Sequence, residues 1–152
     1  MLKNPTYSFI DVNATLTGPG ANLLLSESGV ADEGIDFQYS GEKSSMMTGA
    51  SGDGMHSLHA GQPGRVVLRL LKVSPLNAAL SKLYAAQTAS PALHGRNTIT
   101  LSDAQRGDFA TAEQCAFSKH TDGKWAKEGN IQEWVFDSTR ITTLLGSGQP
   151  AA

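Results

Sequence analysis

The sequence predicts a mainly β fold, a β-sandwich or partly closed β-barrel, flanked by one α-helix. Three observations carry this expectation. Apolar residues alternate at period two in several separate stretches, as half-buried strands do. Gly, Pro, Asn and Asp clusters punctuate those stretches like turns. One segment, 76–87, repeats its apolar residues at helical spacing.

Residues 7–16 alternate, with Ser8, Ile10, Val12, Ala14 and Leu16 on one face and Tyr7, Phe9, Asp11, Asn13 and Thr15 on the other. Thr17-Gly18-Pro19-Gly20 supplies turn chemistry. Leu23-Leu24-Leu25 reads as a short second strand, and 26–32 as a turn. Residues 33–40 alternate again, placing Ile35, Phe37 and Tyr39 opposite Asp36 and Gln38. The stretch 41–61 is different. It is rich in Gly, Ser, Met and His, and a loop this long inside a compact domain usually has a role. Asp53-Gly54 predicts a hairpin at its tip.

Residues 65–72 read as a strand with Val66, Leu68 and Leu70 inward and Arg65 and Arg69 outward. Ser74 is a good N-cap and Pro75 suits a first helical turn. Leu76, Leu80, Leu83, Tyr84 and Gln87 form the buried stripe, and Ser90-Pro91 ends the helix. Further strands are expected over 98–102, 108–118, 131–137 and 140–145. In 108–118, simple alternation puts Phe109, Cys115 and Phe117 on one face and Ala110, Ala112 and Ala116 on the other. Asp122-Gly123 is a hairpin signal, and Trp134 and Phe136 share a face. The tally is about seven to nine strands. The chain is expected to be a single domain, 1–152, with 41–61 a long loop or arm and 146–152 a mobile tail.

Composition narrows the function classes. At 152 residues the chain can bury a core without disulfide or metal staples. A net charge of -2 argues against a dedicated nucleic-acid binder, which would carry a basic patch. Cys115 is the only cysteine, so no internal disulfide is possible and a reducing compartment is expected. No apolar signal core and no membrane-spanning run is legible, so the expectation is a soluble product without a membrane anchor.

The candidate chemical motifs have plainer readings. His56 and His59 lie three apart, which on a strand sends them to opposite faces and prevents a shared metal. The glycines of 49–54 lack the Lys-Ser/Thr ending of a phosphate loop. Ser74, His94 and Asp103 make a triad only on paper, with no nucleophile-elbow pattern. Cys115 reads as a buried small hydrophobe, and Trp125 and Trp134 as core residues. No catalytic, cofactor-binding or metal-binding residue is expected, and the chain reads as a non-enzyme.

Several stretches together resemble a known family. They are Tyr7-Ser8-Phe9-Ile10-Asp11-Val12-Asn13-Ala14-Thr15-Leu16, Gly18-Pro19-Gly20, Glu33-Gly34-Ile35 and Gly54-Met55-His56-Ser57-Leu58-His59-Ala60-Gly61. Arg69-Leu70-Leu71-Lys72, Ser74-Pro75, Asn77 and Gln87-Thr88-Ala89-Ser90 follow in order, then Arg106-Gly107-Asp108, Ala116-Phe117, Glu133-Trp134 and Phe136-Asp137. Across 7–146 the chain resembles the small phage and prophage structural proteins that form the tail tubes of contractile-tailed bacteriophages. That resemblance implies a β-sandwich or barrel with a flanking helix. It also implies hexameric rings stacked into a tube, DNA passing through the lumen, and sheath, baseplate and tail terminator proteins as partners. The location it implies is the virion tail, after synthesis in the host bacterial cytoplasm.

Within that frame, Lys43, Met46, Met47, Met55, His56 and His59 are candidates for an inter-subunit arm, and residues 1–6 and those after Leu145 for further arms. A lumen that lets DNA slide should be polar and neutral to acidic. Asp11, Asn13, Asp36, Gln38, Glu133 and Asp137 are the candidates for it, each lying opposite core positions. The competing readings are a small-ligand or carbohydrate-binding β domain, and the tube of a non-phage injection or secretion system.

Overall fold

The computed structural model describes residues 3, 5–26 and 30–150. A short 3-10 turn, Phe9–Asp11, leads into β1 (Val12–Gly18), followed by β2 (Ala21–Leu24), β3 (Val30–Tyr39), β4 (Ser44–Thr48) and β5 (Gly54–Leu58). Then come β6 (Gly64–Leu71), α1 (Leu76–Thr88), β7 (Asn97–Asp103), β8 (Asp108–Phe117), β9 (Ile131–Ser138) and β10 (Arg140–Leu144). Eight strands form one open antiparallel sheet in the order β2-β1-β7-β8-β9-β6-β3, with β10 also on β8, while β4 and β5 form a separate hairpin.

The sheet folds over on itself at β8, making two wings. Residues 109–113 of β8 pair with β10, and Ala116 and Phe117 pair with β9. Between them Gln114 takes a left-handed φ of 51°, and the β7 register shows one extra β8 residue, with Ile99 opposite Ala112 but Asn97 opposite Cys115. This is a β-bulge, and it bends the strand from one wing to the other. Ser138, between β9 and β10, secures the corner by donating from Oγ to the carbonyls of Glu113 (2.7 Å) and Arg140 (2.9 Å).

The bulge corrects the simple alternation expected for 108–118. Ala110 and Ala112 are buried with Cys115 and Phe117, while Phe109 faces out. Residues 9–11 are a second correction. They form a 3-10 turn instead of continuing the first strand, so Ile10 is 90% exposed. The hairpin turn also differs: it spans Gly49 to Asp53, with Gly49 N donating to Asp53 O (2.7 Å), so Asp53-Gly54 lies at its exit.

One core fills the space between the wings and the helix. Leu16, Ile99, Val66, Leu68, Leu70, Trp134, Phe136 and Ile141 meet Leu76, Leu80 and Leu83 of α1. At about 1.5–3 kcal/mol per fully buried large side chain, the three helical leucines alone contribute several kcal/mol. Ser74 Oγ accepts from Leu76 N (3.3 Å), the cap its position predicts. The helix exit is tied down by a buried reciprocal amide pair, Gln87 Nε2 to Asn97 Oδ1 (2.8 Å) and Asn97 Nδ2 to Gln87 Oε1 (2.6 Å). Burial pushes the Cys115 thiol up to about 11, consistent with an inert packed cysteine.

The expected turn at 26–32 falls partly on 27–29, outside the described residues, and β3 begins at Val30. Met1, Leu2 and Asn4 of the N-terminal arm, and the last two residues of the tail, lie outside them too.

Candidate assembly surfaces

The face of β3, β6 and β9 turned away from the core is charged and ordered by register. Gln38, Arg65 and Asp137 lie opposite one another across the three strands, and Arg69 lies opposite Glu133. Arg69 Nη1 meets Asp36 Oδ2 at 2.8 Å, and its Nε lies 3.4 Å from Glu133 Oε2. Arg65 Nε meets Asp137 Oδ1 at 3.1 Å. Both arginines are therefore engaged by carboxylates on neighbouring strands. Among the described side chains, three carboxylates stand against two arginines on this face.

Four of the six candidate lumen residues, Asp36, Gln38, Glu133 and Asp137, share this face. The other two do not. Asn13 lies on the opposite wing, in register with Ser102 and, through it, Phe109. Beside it runs a row of hydroxyls, Thr15, Thr100, Thr111 and Thr142, across four strands. Asp11 leaves the expected strand alternation: it lies in the 3-10 turn, and its carboxylate meets Arg106 Nη1 at 3.1 Å. Arg106 is buried and also holds Asp103 (3.0 Å) and the Thr6 carbonyl (3.1 Å), with its guanidinium 4.9 Å from the Tyr7 ring centre. Burial pulls the pKa of Arg106 down, and the hydrogen bonds and charges of Asp103 and Asp11 more than offset that. Asp11 thus belongs to a clasp that holds the N-terminal segment to the β7–β8 turn.

The arm candidates are brought together. Met46 pairs with His56, and Met47 with Met55, in the β4–β5 hairpin. Every residue of both strands is exposed. Lys43 and His59 sit at its base, where His59 N donates to Lys43 O (2.8 Å), and both line a cleft of about 490 Å³ with Tyr39 and Gln62. Gly64 permits the close approach there: a Cβ on it would run into the Gln38 carbonyl and the Ile141 side chain.

Among the described residues no cluster of three or more His, Cys, Asp or Glu could hold a metal. The paper triad does not assemble, because Ser74 caps the helix and Asp103 binds Arg106. Sequence reasoning misplaced Trp125. It is 85% exposed, not packed in the core, with Lys72 Nζ over its ring at 4.6 Å. Its flanks, Gly123-Lys124 and Ala126-Lys127, are the signal of a loop.

Three strand edges are open among the described residues, those of β2, β3 and β10, the last pairing with β8 as its one strand neighbour. β2 and β3 end the sheet path, and each has a single strand neighbour. Such edges invite pairing with another chain. Residues 4–146 match the profile of the Bacteriophage PhiTE tail tube protein family. The chain belongs to that family. No curated protein matches this tail tube family member in sequence. Solved structures do resemble it in fold. The anti-feeding prophage cap, an AFP tube-terminating cap, superposes with a TM-score of 0.55 at 12% identity, covering 96% of this chain and 93% of that one. The sheath–tube complex of the PVC extracellular contractile injection system gives 0.52 at 12% identity, with coverages of 87% and 88%. The sheath/tube terminator of the same system gives 0.55 at 13%, with coverages of 88% and 92%. These likenesses establish the mainly β, helix-flanked tube-protein fold that the sequence predicts.

Proposed function

We propose that this tail tube protein closes into hexameric rings that stack into the tube of a contractile phage tail, with the β3–β6–β9 face lining the DNA channel. The observation that carries the lumen assignment is the engagement of Arg65 and Arg69 by Asp36, Glu133 and Asp137. Phosphate binding strengthens with each available cation, and here the cations are already paired with carboxylates. DNA would slide along such a wall instead of adhering to it. The open edges of β2 and β3 supply the heterologous contact that closes a ring. The β4–β5 hairpin is the arm between subunits.

Sheath, baseplate and terminator proteins are the partners this reading assigns, with the virion tail as the working location and the host bacterial cytoplasm as the site of synthesis. The fold likeness to injection-system tubes favours one second reading, the same tube in a machine that carries cargo other than DNA. Electron microscopy of the concentrated protein tests the proposal. Sixfold rings or hollow tubes with Asp36, Glu133 and Asp137 on the inner wall are expected. A protein that stays monomeric at every concentration would sink self-driven assembly, and tubes with these residues outside would sink the lumen assignment.

A further inference from the structure

The Leu71/Ile131 end of the β6–β9 ladder carries a feature that the ring and lumen do not use. A cleft of about 270 Å³ opens between this end and the start of α1, lined by Lys72, Ser81, His120, Trp125, Gln132 and Trp134. Lys72 stacks on Trp125 and donates to the Lys124 carbonyl (2.7 Å), which holds the indole in place at the mouth. Val73, next in the chain after Lys72, is 86% exposed. Exposed, positioned tryptophans of this kind are typical anchors of protein interfaces.

We infer that this cleft receives the β4–β5 hairpin of a second copy, with a methionine side chain seated against Trp125. Three observations select that occupant. The hairpin is apolar and uncovered, with Met46, Met47, Met55 and Leu58 between 57% and 79% exposed. A lone two-stranded hairpin is marginal in water and gains from a partner, and methionine sulfurs pack well against aromatic edges.

The second observation is direction. The hairpin is inserted between β3 and β6 at the Tyr39/Gly64 end, and the cleft lies at the Leu71/Ile131 end of the same ladder. A copy displaced along β6 brings one to the other, and such a head-to-tail contact repeats without limit. The third is charge. Lys72 and Asp122 line the cleft, and the loop segment 119–128 that carries Trp125 holds Lys119, Lys124 and Lys127 against Asp122 and Glu128, while Glu42 and Asp53 outnumber Lys43 on the hairpin segment. The inference rests on the tube reading and gives its axial contact a receiving site. A rival receiver exists at the far end of β8–β10, where Tyr7, Ile10, Phe109, Leu144 and Leu145 are exposed.

Two measurements decide it. The protein has two tryptophans, and Trp134 is already buried, so a change in indole accessibility on assembly reports Trp125. Acrylamide quenching of the wild-type protein should fall several-fold when tubes form; quenching that is unchanged in tubes overturns the inference. The second mixes Met55→Cys protein with Val73→Cys protein, and separately with Leu144→Cys protein, under mild oxidation. The native Cys115 is buried and contributes little background. Disulfide dimers from the 55 and 73 pair in tubes support the cleft, whereas dimers from the 55 and 144 pair alone move the contact to the rival patch and overturn it. Electron microscopy of the wild type shows separately whether tubes form, so failure of the tube reading is distinguished from failure of this contact.

Discussion

The β6–β9 ladder and the β4–β5 hairpin lie close together in the fold and are both antiparallel pairs, yet they differ in what holds them. In the ladder, Val66, Leu68, Leu70, Trp134 and Phe136 are buried on one face, and Arg65, Arg69, Glu133 and Asp137 form ion pairs on the other. In the hairpin both faces are exposed, and Met47 lies opposite Met55 in the register of its two strands. Backbone pairing alone is therefore not the source of stability. The ladder is stabilised by its buried face and its ion pairs, whereas the hairpin strands have no buried residue.

Substitutions along this contrast should show a descending series of effects on the isolated protein. Trp134→Ala removes a side chain that is 1% exposed and whose Nε1 donates to Asn77 Oδ1 (3.0 Å). A loss of about 3–5 kcal/mol is expected by urea denaturation. A loss of under one would mean the ladder is not the centre of the core. Gly64→Ala, at the junction of the two regions, forces a Cβ toward the Gln38 carbonyl and should cost about 1–3 kcal/mol in the same assay. If it proves neutral, the hairpin base is more pliant than its contacts indicate.

Arg69→Ala breaks ion pairs whose carboxylates are 41% and 55% exposed, so about 0.5–1 kcal/mol is expected, shrinking as salt is added. A loss that does not respond to salt would assign Arg69 a packing role instead. Met47→Ser with Met55→Ser should move the melting of the monomer by less than about 0.5 kcal/mol. The same pair should abolish tube formation scored by electron microscopy. Destabilised monomers would break the comparison, because the hairpin would then be supported from within.

Much of the fold is legible in local pattern. The Leu76, Leu80, Leu83 and Gln87 stripe gives the helix, and Trp134 with Phe136 gives the inward face of β9, because periodicity is set by the backbone itself. The misses have non-local causes. Asp11 leaves the strand pattern because Arg106, distant in sequence, binds its carboxylate. The phase of β8 changes at Gln114 because the strand exchanges one neighbour for another there, and nothing in its own sequence marks that exchange. The candidate lumen residues were identifiable one strand at a time. Alternation says which side chains point away from the core, but only strand order says that Asp36, Glu133 and Asp137 flank two arginines while Asn13 belongs to the other wing.

The corner at Gln114 also has a mechanical consequence. A sandwich whose layers met only through side chains would carry any load between them in shear across its core. Here one strand runs through both layers, so a force pulling one wing against the other passes along covalent backbone, and the packed interior is spared the sliding stress.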